Sequence, residues 1–141
     1  MHYNYNLKYN KMFDWKKPTV QMLGRWQPWH DGHQALFKRC VAKTGQVIIQ
    51  VRDVQGASGG DGQDDNPFDW DAVCKNIEDG LIKDNFKRGV DYEIMLVPNI
   101  VNITYGRGVG YAFDEEVFDE VTHSISATKI RKKMRDEGKL S

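Results

Sequence analysis

The chain has 141 residues, which is enough for one domain with a modest hydrophobic core. Its 20 basic and 20 acidic residues cancel to a formal net charge of zero, so global electrostatics give no support to nucleic-acid binding. No apolar run approaches the length of a membrane span, and the amino terminus lacks the apolar core of a signal peptide. We therefore expect a protein that binds neither nucleic acid nor a membrane.

Two cysteines, Cys40 and Cys74, lie far apart in the sequence on predicted apolar helix faces. Neither has His or Cys neighbours at the spacing of a metal site. This pattern favours two buried free thiols in a reducing compartment, and we predict a cytoplasmic location.

The first 17 residues are rich in Asn, Tyr and Lys and follow neither a helical nor a strand period. We predict that residues 1–17 form an N-terminal arm packed against the domain surface. Residues 18–141 are predicted to form the single domain.

A β-prone apolar run at residues 19–23 is followed by apolar residues at helical spacing until Gly45 stops the helix. Residues 24–33 therefore form a strand-to-helix turn, which directs backbone N–H groups and the positive end of a helix dipole toward a phosphate. Gly24 and Gly32 allow the backbone to approach a ligand closely. His30 and His33 are three residues apart, so both imidazoles lie on one side of the first helical turn.

A second strand is predicted at residues 46–51, and strand-helix-strand is the unit of parallel α/β sheets. Arg52 follows this strand at the end where open parallel sheets bind ligands, so it either reaches a phosphate or makes a surface ion pair. The Gly-rich and Asp-rich residues 54–66 predict a loop without strand or helix period. A solvated linker is the favoured interpretation of this loop, and a lid over the site is the alternative.

Asn66 and Pro67 have the pattern of a helix cap and first helical residue, and the predicted helix runs to about Phe86. A third strand is predicted at residues 92–97. The loop after it clusters asparagine, tyrosine, arginine and glycine, again at the ligand-binding end of a strand. Either it contacts a substrate or it is a Gly-rich turn with polar surface residues.

Ser126 is a good cap for a final helix over residues 127–137, with Gly138 as its stop. Thr128 and Arg131 are three residues apart, so a hydroxyl and a guanidinium share one side of its start. This helix start predicts a second anion-binding site.

Two motifs carry a family resemblance. Gly-Arg-x-Gln-Pro-x-His-x-Gly-His at residues 24–33 and Ile-Ser-x-Thr-x-x-Arg at residues 125–131 resemble the two signatures of the nucleotidylyltransferase superfamily. This superfamily includes nicotinamide mononucleotide adenylyltransferases and small cytidylyltransferases. The resemblance spans residues 19–137 and implies an α/β fold, a Rossmann-like three-layer sandwich with a short, mostly parallel sheet. The segment between 111 and 122 is shorter than family members usually have, so we expect four or five strands.

The resemblance also implies a division of roles within the site. The implied catalytic residues are His30, His33 and Arg131. The implied nucleotide-binding residues are Gly24, Arg25, Trp26, Gln27, Gly32, Ser126 and Thr128. The implied substrate-binding residues are Arg52, Asn99, Asn102, Tyr105 and Arg107. Mg²⁺ is expected to bridge the phosphates without a dedicated set of protein metal ligands.

The expected reaction transfers a nucleotidyl group from a nucleoside triphosphate to a phosphorylated small-molecule acceptor and releases pyrophosphate. The Gln27-Pro28 form of the motif favours ATP with a mononucleotide or similar acceptor. CTP with a sugar or polyol phosphate is the alternative, and a non-catalytic nucleotide-binding module is a hypothesis of another class. The resemblance also allows a homo-oligomer.

Overall fold

The structure is a computed structural model that describes residues 11–55, 66–108, 110–116 and 127–140. Its elements in chain order are β1 (Val20–Gly24), α1 (Asp31–Thr44), β2 (Val47–Arg52), α2 (Trp70–Ile82), β3 (Tyr92–Val97) and α3 (Ala127–Asp136). The strands form one parallel sheet in the order β1-β2-β3. The prediction of an α/β, Rossmann-like fold is confirmed.

The predicted number of strands is wrong, because the described residues form a sheet of three strands rather than four or five. After β3 the described chain at residues 98–108 and 110–116 runs without strand pairing. This segment is rich in glycine and asparagine, which are poor strand formers. The apolar residues predicted for a further strand, Val117, Phe118 and Val121, lie outside the described residues.

The register of the strands brings their carboxyl ends to one edge of the sheet. Gly24 of β1 pairs with Val51 of β2, and Arg52 of β2 pairs with Val97 of β3. The chain leaves all three strands at this edge, which is where the turn before α1 and the loop after β3 begin. In an open parallel sheet this edge is the usual ligand-binding edge.

One hydrophobic core joins the sheet to α1 and α2. Every second residue of β2 is buried, and α1 and α2 contribute buried side chains to the same cluster. Right-handed crossover connections place successive helices of such a sheet on one face, which explains the shared core. Its fully buried members include Phe37, Val47, Ile49, Ile77, Leu81 and Tyr92.

Helix α2 differs at both ends from the predicted helix. It begins at Trp70 because the Asp69 carboxylate accepts the backbone N–H of Ala72 and caps the helix. Asn66, the predicted cap, instead accepts a hydrogen bond from Arg25. The helix ends at Ile82, well before Phe86, and Asn85 is in the left-handed conformation that ends helices.

The described part of the N-terminal arm packs against the start of the sheet. The backbone N–H of Phe13 donates to the carbonyl of Gly89 at 2.8 Å. The side chain of Gln46 bonds both the N–H and the carbonyl of Asp14, at 3.0 and 2.6 Å. Residues 1–10 lie outside the described residues.

Two further predictions concern the state of the cysteines and the absence of a membrane-spanning segment. Cys40 and Cys74 are both free and buried, as predicted. Among the described helices, none has the length and apolar character needed to cross a bilayer.

Candidate active site

The turn between β1 and α1 is closed by its two histidines. His30 is the N-cap of α1, and its Nδ1 accepts the backbone N–H groups of Gly32 and His33 at 3.1 and 3.4 Å. The Nδ1 of His33 accepts the backbone N–H of His30 at 3.2 Å. This is a capping box made of two imidazoles. It differs from the prediction that the N–H groups of the first turn point at a phosphate, since His30 already takes two of them.

The cap fixes the protonation of both rings. An imidazole whose Nδ1 accepts a hydrogen bond carries its proton on Nε2, which is then a donor. Burial lowers the pKa of His30, with Asp31 opposing the shift, and burial together with the neighbouring His30 lowers the pKa of His33 to about 3. The rings stack with centroids 3.6 Å apart and 17° between their planes. Both histidines are therefore neutral at physiological pH, and each offers an Nε2–H.

Two tryptophans pack around His33. The ring of Trp26 lies 4.7 Å from the imidazole in an edge-to-face arrangement, and the ring of Trp29 lies 5.5 Å away. Both indoles are buried, with 6% and 8% of their surface exposed. They form the apolar wall that desolvates His33 and lowers its pKa. Trp26 was predicted to bind the nucleotide. In the structure its indole is buried and packs edge-to-face against the imidazole of His33.

Gly24 makes room for a neighbouring side chain, a role that the sequence did not predict. A Cβ at this position would lie 2.9 Å from Cζ2 of Trp26. Trp26 adopts a positive φ of 55°, which is unusual for a bulky residue, and its indole N–H donates to the carbonyl of Gln50 at 3.1 Å. The glycine thus makes room for an indole folded back over the end of β1. The backbone strain at Trp26 belongs to this arrangement.

Gln27 links the turn to the segment that leads into α2. Its amide accepts from the N–H and donates to the carbonyl of Phe68, each at 2.9 Å, and the residue is buried. Gln27 was predicted to bind the nucleotide, and in the structure both polar atoms of its amide bond the backbone of Phe68.

The second motif meets the first through Arg131. This residue of α3 is 3% exposed, and its Nη1 donates to the carbonyl of Gln27. Two predicted site residues separated by 104 positions are therefore in direct contact. Ser126 and the side chain of Thr128 lie outside the described part of the chain.

Two further arginines lie where the strands end. Arg25 Nη1 donates to Oδ1 of Asn66 at 2.9 Å, and Arg52 Nη2 donates to Oδ1 of Asn99 at 2.8 Å. The buried Nε of Arg52 has no hydrogen-bond partner among the described residues. The contact between Arg52 and Asn99 joins two predicted substrate-binding residues from neighbouring strand ends.

The other predicted substrate-binding residues are exposed. Asn102 accepts a hydrogen bond from Thr104, and Tyr105 stacks on Phe113 with centroids 4.7 Å apart. Arg107 is exposed as well. Within the described residues, no hydrogen bond or ring contact joins Asn102 or Tyr105 to the histidines.

The segment after β3 is attached to α1 by charge. Lys43 forms ion pairs with Asp114 and Glu116, each at 2.8 Å, and Arg39 lies 3.6 Å from Glu116. These pairs lower the pKa of Glu116 and raise that of Lys43. They hold the end of the segment on the helix that carries His30 and His33.

A cavity of about 510 Å³ opens beside His30 on the side of the helices. Its lining includes three carboxylates, Asp31, Asp79 and Asp84, against one lysine, Lys83. This charge disfavours a triphosphate in the cavity. The cationic side of the site lies instead at the strand ends, with Arg25 and Arg52.

Sequence reasoning missed two residues of this region. Asn66 is buried and holds Arg25, although it was predicted to be a helix cap. Gln34 bonds the indole of Trp29 and was not singled out at all. Its position directly after His33 could have identified it, since a polar side chain in the first turn of α1 can reach the residues that surround the histidines.

The donor set of the site does not form a cage for a metal ion. Each imidazole uses Nδ1 in the cap and carries its proton on Nε2, so neither has a lone pair for a metal. The described residues contain no group of three or more His, Cys, Asp or Glu side chains placed to hold an ion. A metal at this site would take its ligands mainly from a substrate and water.

The parallel sheet and its strand-to-helix turn define a Rossmann-like architecture, and the contact between the two motif segments is consistent with the nucleotidylyltransferase superfamily. A comparison of the chain with curated proteins confirms this resemblance. The chain is similar to nicotinamide-nucleotide adenylyltransferase of Methanococcus aeolicus, with 25% identity over 118 residues, covering 77% of this chain. It spans 66% of the length of that relative. No family model matches the chain.

Proposed function

We propose that the protein transfers a nucleotidyl group from a nucleoside triphosphate, with ATP favoured, to a phosphorylated small-molecule acceptor such as a mononucleotide. The observation that carries the proposal is the pair of stacked, neutral imidazoles, which share one helix cap and offer two Nε2–H donors. The similarity to a nicotinamide-nucleotide adenylyltransferase favours ATP and a mononucleotide acceptor over CTP and a sugar or polyol phosphate.

The proposed reaction is an in-line displacement at the α-phosphorus. An oxygen of the acceptor phosphate forms the new P–O bond, the bond to the bridging oxygen of the β-phosphate breaks, and pyrophosphate leaves with the electron pair. No covalent intermediate with the protein is required. The protein therefore has to orient two anionic substrates and stabilise the charge that builds on the α-phosphate.

His33 and His30 take the second task. Their Nε2–H groups donate to oxygens of the α-phosphate, and burial against Trp26 and Trp29 strengthens these hydrogen bonds by excluding water. A low pKa suits this role, since a neutral ring stays a donor throughout the reaction and releases no proton. Loss of one such donor typically costs about 10²–10³ in rate.

The arginines take the task of orientation. Arg131 lies against the turn through the carbonyl of Gln27, and Arg25 follows β1 directly, so both are assigned to the β- and γ-phosphates. Arg52 and Asn99 are assigned to the acceptor, because they meet at two neighbouring strand ends on the ligand-binding edge of the sheet. Mg²⁺ would neutralise phosphate charge and help pyrophosphate leave. It would be bound by phosphate oxygens and water.

The test is a pyrophosphate-release assay on the full chain with ATP or CTP, Mg²⁺ and a panel of phosphorylated acceptors, including nicotinamide mononucleotide. The blank is His33→Ala. The matched control is Lys75→Ala, which changes an exposed residue of α2 whose side chain pairs with Asp79. We expect release that needs one triphosphate and one acceptor, survives in the control and falls by about 10²–10³ in the blank.

The alternatives give different outcomes in the same assay. Release with CTP and a polyol phosphate, but not with ATP, would replace the favoured substrates and keep the reaction class. Binding of a triphosphate by calorimetry without release for any pair would favour the non-catalytic nucleotide-binding module. Equal release by the His33→Ala protein would contradict the assigned role of this imidazole.

A further inference from the structure

The amide of Gln34 ties the turn to α2. Its Oε1 accepts the indole N–H of Trp29 at 2.7 Å. Its Nε2 donates to the carbonyl of Gly80 at 2.7 Å and to Oδ2 of Asp84 at 2.8 Å. Both amide protons and the oxygen are engaged, so the side chain is fixed in one orientation. The hydrogen bond that holds Trp29 is therefore itself held by the second helix.

The indole of Trp29 has little room to move. A Cβ at Gly80 would lie 2.8 Å from Cδ1 of Trp29 and 3.0 Å from its Nε1, so α2 approaches the indole as closely as a glycine permits. The indole is 8% exposed and packs between this helix and the ring of His33. An indole held in this way limits how the imidazole can rotate.

We infer that Gln34 is a positioning residue of the candidate active site, which acts through Trp29 to hold the imidazole of His33 in the orientation that pairs Nδ1 with the helix start. This inference deepens the proposed function and rests on it for the role of the Nε2–H toward a phosphate. The orientation of the ring is a property of the free protein, which can be measured without any substrate.

The contrasting role for Gln34 is purely structural, as a hydrogen bond that docks α1 on α2. The two roles differ in what happens to His33. A docking residue changes stability and leaves the tautomer and titration of the imidazole alone. A positioning residue changes both, because a ring that can rotate exchanges its hydrogen bond to the backbone for water.

The experiment compares Gln34→Met with the wild-type protein by NMR of the histidine ring nitrogens across pH. Methionine has a similar length and cannot make the three hydrogen bonds. Gln21→Met is the matched control, since Gln21 is an exposed glutamine on β1 whose amide bonds Gln50. The His33→Asn protein identifies the signals of His33.

We expect one tautomer of His33 in the wild-type protein, with the proton on Nε2 and no titration above pH 5. In Gln34→Met a mixture of tautomers appears and the pKa of His33 rises toward its ordinary value of 6.5. In Gln21→Met both properties stay as in the wild-type protein. In the nucleotidyl-transfer assay, kcat of Gln34→Met falls about tenfold or more and KM for the triphosphate changes less than twofold.

Trp29→Phe tests whether the effect passes through the indole and serves as the second variant should Gln34→Met not fold. It keeps an aromatic ring and removes the N–H that Gln34 accepts. We expect it to shift His33 in the same direction, and adding Gln34→Met to it should change kcat by less than a further twofold.

A folded Gln34→Met protein, or a folded Trp29→Phe protein, with an unchanged tautomer and titration of His33 would overturn the inference whatever the activity. A wild-type protein that transfers no nucleotidyl group while His33 responds to Gln34→Met would instead reject the proposed function and retain the positioning of the ring.

Discussion

His30 and His33 cap one helix for each other: the Nδ1 of each imidazole accepts the backbone N–H of the other residue, at 3.4 Å for the N–H of His33 and 3.2 Å for that of His30. The same two hydrogen bonds thus cap the helix and set the protonation of the two rings. They satisfy N–H groups that a helix start leaves unpaired, and they place the remaining proton of each ring on Nε2. Substitutions at these positions should separate the two effects.

Replacement of His30 by asparagine or alanine separates capping from chemistry. Asparagine is among the best N-cap residues, so His30→Asn should keep the free energy of unfolding within about 0.5 kcal/mol of the wild-type value. His30→Ala removes the cap and should lower it by about 1 kcal/mol. Both variants lose the imidazole and should lose nucleotidyl transfer alike. Urea unfolding measures the stabilities, and equal destabilisation by both substitutions would contradict the capping role.

Acid should destabilise the protein through these histidines. The pKa of His33 is about 3 in the folded chain and about 6.5 when unfolded, so between these values the unfolded state binds more protons. The stabilising contribution of the neutral ring is present above pH 6.5 and is lost as pH falls toward 3. The slope is at most about 1.4 kcal/mol per pH unit for one histidine. His30, whose pKa is also lowered, acts in the same direction.

Urea unfolding at several pH values between 7 and 5 measures this effect. The pKa values of the Asp84 and Glu116 carboxylates are lowered, so their loss of stability with acid falls mainly below this range. His33→Asn is the control, because asparagine does not titrate. Its stability should depend less steeply on pH than that of the wild-type protein, and an equal dependence would show that His33 is not the cause.

The sequence alone was sufficient for the parts of the fold that depend on local pattern. Short apolar, β-prone runs located β1, β2 and β3 within one residue at each end. Gly45 and Gly138, both with positive φ, lie just beyond the helices that they were predicted to stop. The start of α2 was predicted three residues too early, because Asn66 and Asp69 are both good caps. Tertiary hydrogen bonds decide between them: Arg25 holds the side chain of Asn66, and Gln27 holds the backbone of Phe68.

The candidate site was less predictable, since its contacts join distant segments. The motifs identified His30, His33 and Arg131, and their proximity to one another follows from the superfamily resemblance. The hydrogen bonds between Gln27 and the backbone of Phe68 could not be predicted, because the residues around Gln27 in the sequence do not indicate which distant segment its amide contacts. The predicted number of strands was wrong for a related reason. No periodic pattern in the sequence shows that the described chain after β3 is irregular.

Gly24→Ala should destabilise the protein although alanine is tolerated in most strands. The added Cβ would lie 2.9 to 3.0 Å from ring atoms of Trp26, and the indole is buried, so it cannot move without losing contacts. Overpacking of this kind typically costs about 1–3 kcal/mol. Gly106→Ala is the matched control, since a Cβ there meets nothing within 4 Å. Thermal unfolding of both variants is the measurement, and equal melting temperatures would contradict the packing argument.

Arg52→Gln should weaken binding of the acceptor. The substitution keeps a polar side chain beside Asn99 and removes the charge of the guanidinium. A hydrogen bond from a charged group is worth about 1.5–3 kcal/mol, which corresponds to a rise in KM of the acceptor of about 10- to 100-fold. KM of the triphosphate should change little. Steady-state kinetics with each substrate varied in turn measure both, and a rise confined to the triphosphate would move Arg52 to the other subsite.

Arg131→Met should impair transfer far more than it impairs folding of the domain. Arg131 is buried and donates to the carbonyl of Gln27, so its loss removes a cation from the turn and leaves that carbonyl without this donor. We expect kcat/KM for the triphosphate to fall by about 10²–10³, because the β- and γ-phosphates lose the cation assigned to orient them. Lys132→Met removes the same charge from the exposed neighbouring position on α3 and should change kcat/KM less than threefold. Circular dichroism checks that both variants are folded. A loss of activity of the same size in both would mean that the net charge of α3, rather than the guanidinium that reaches the first motif, is what the reaction needs.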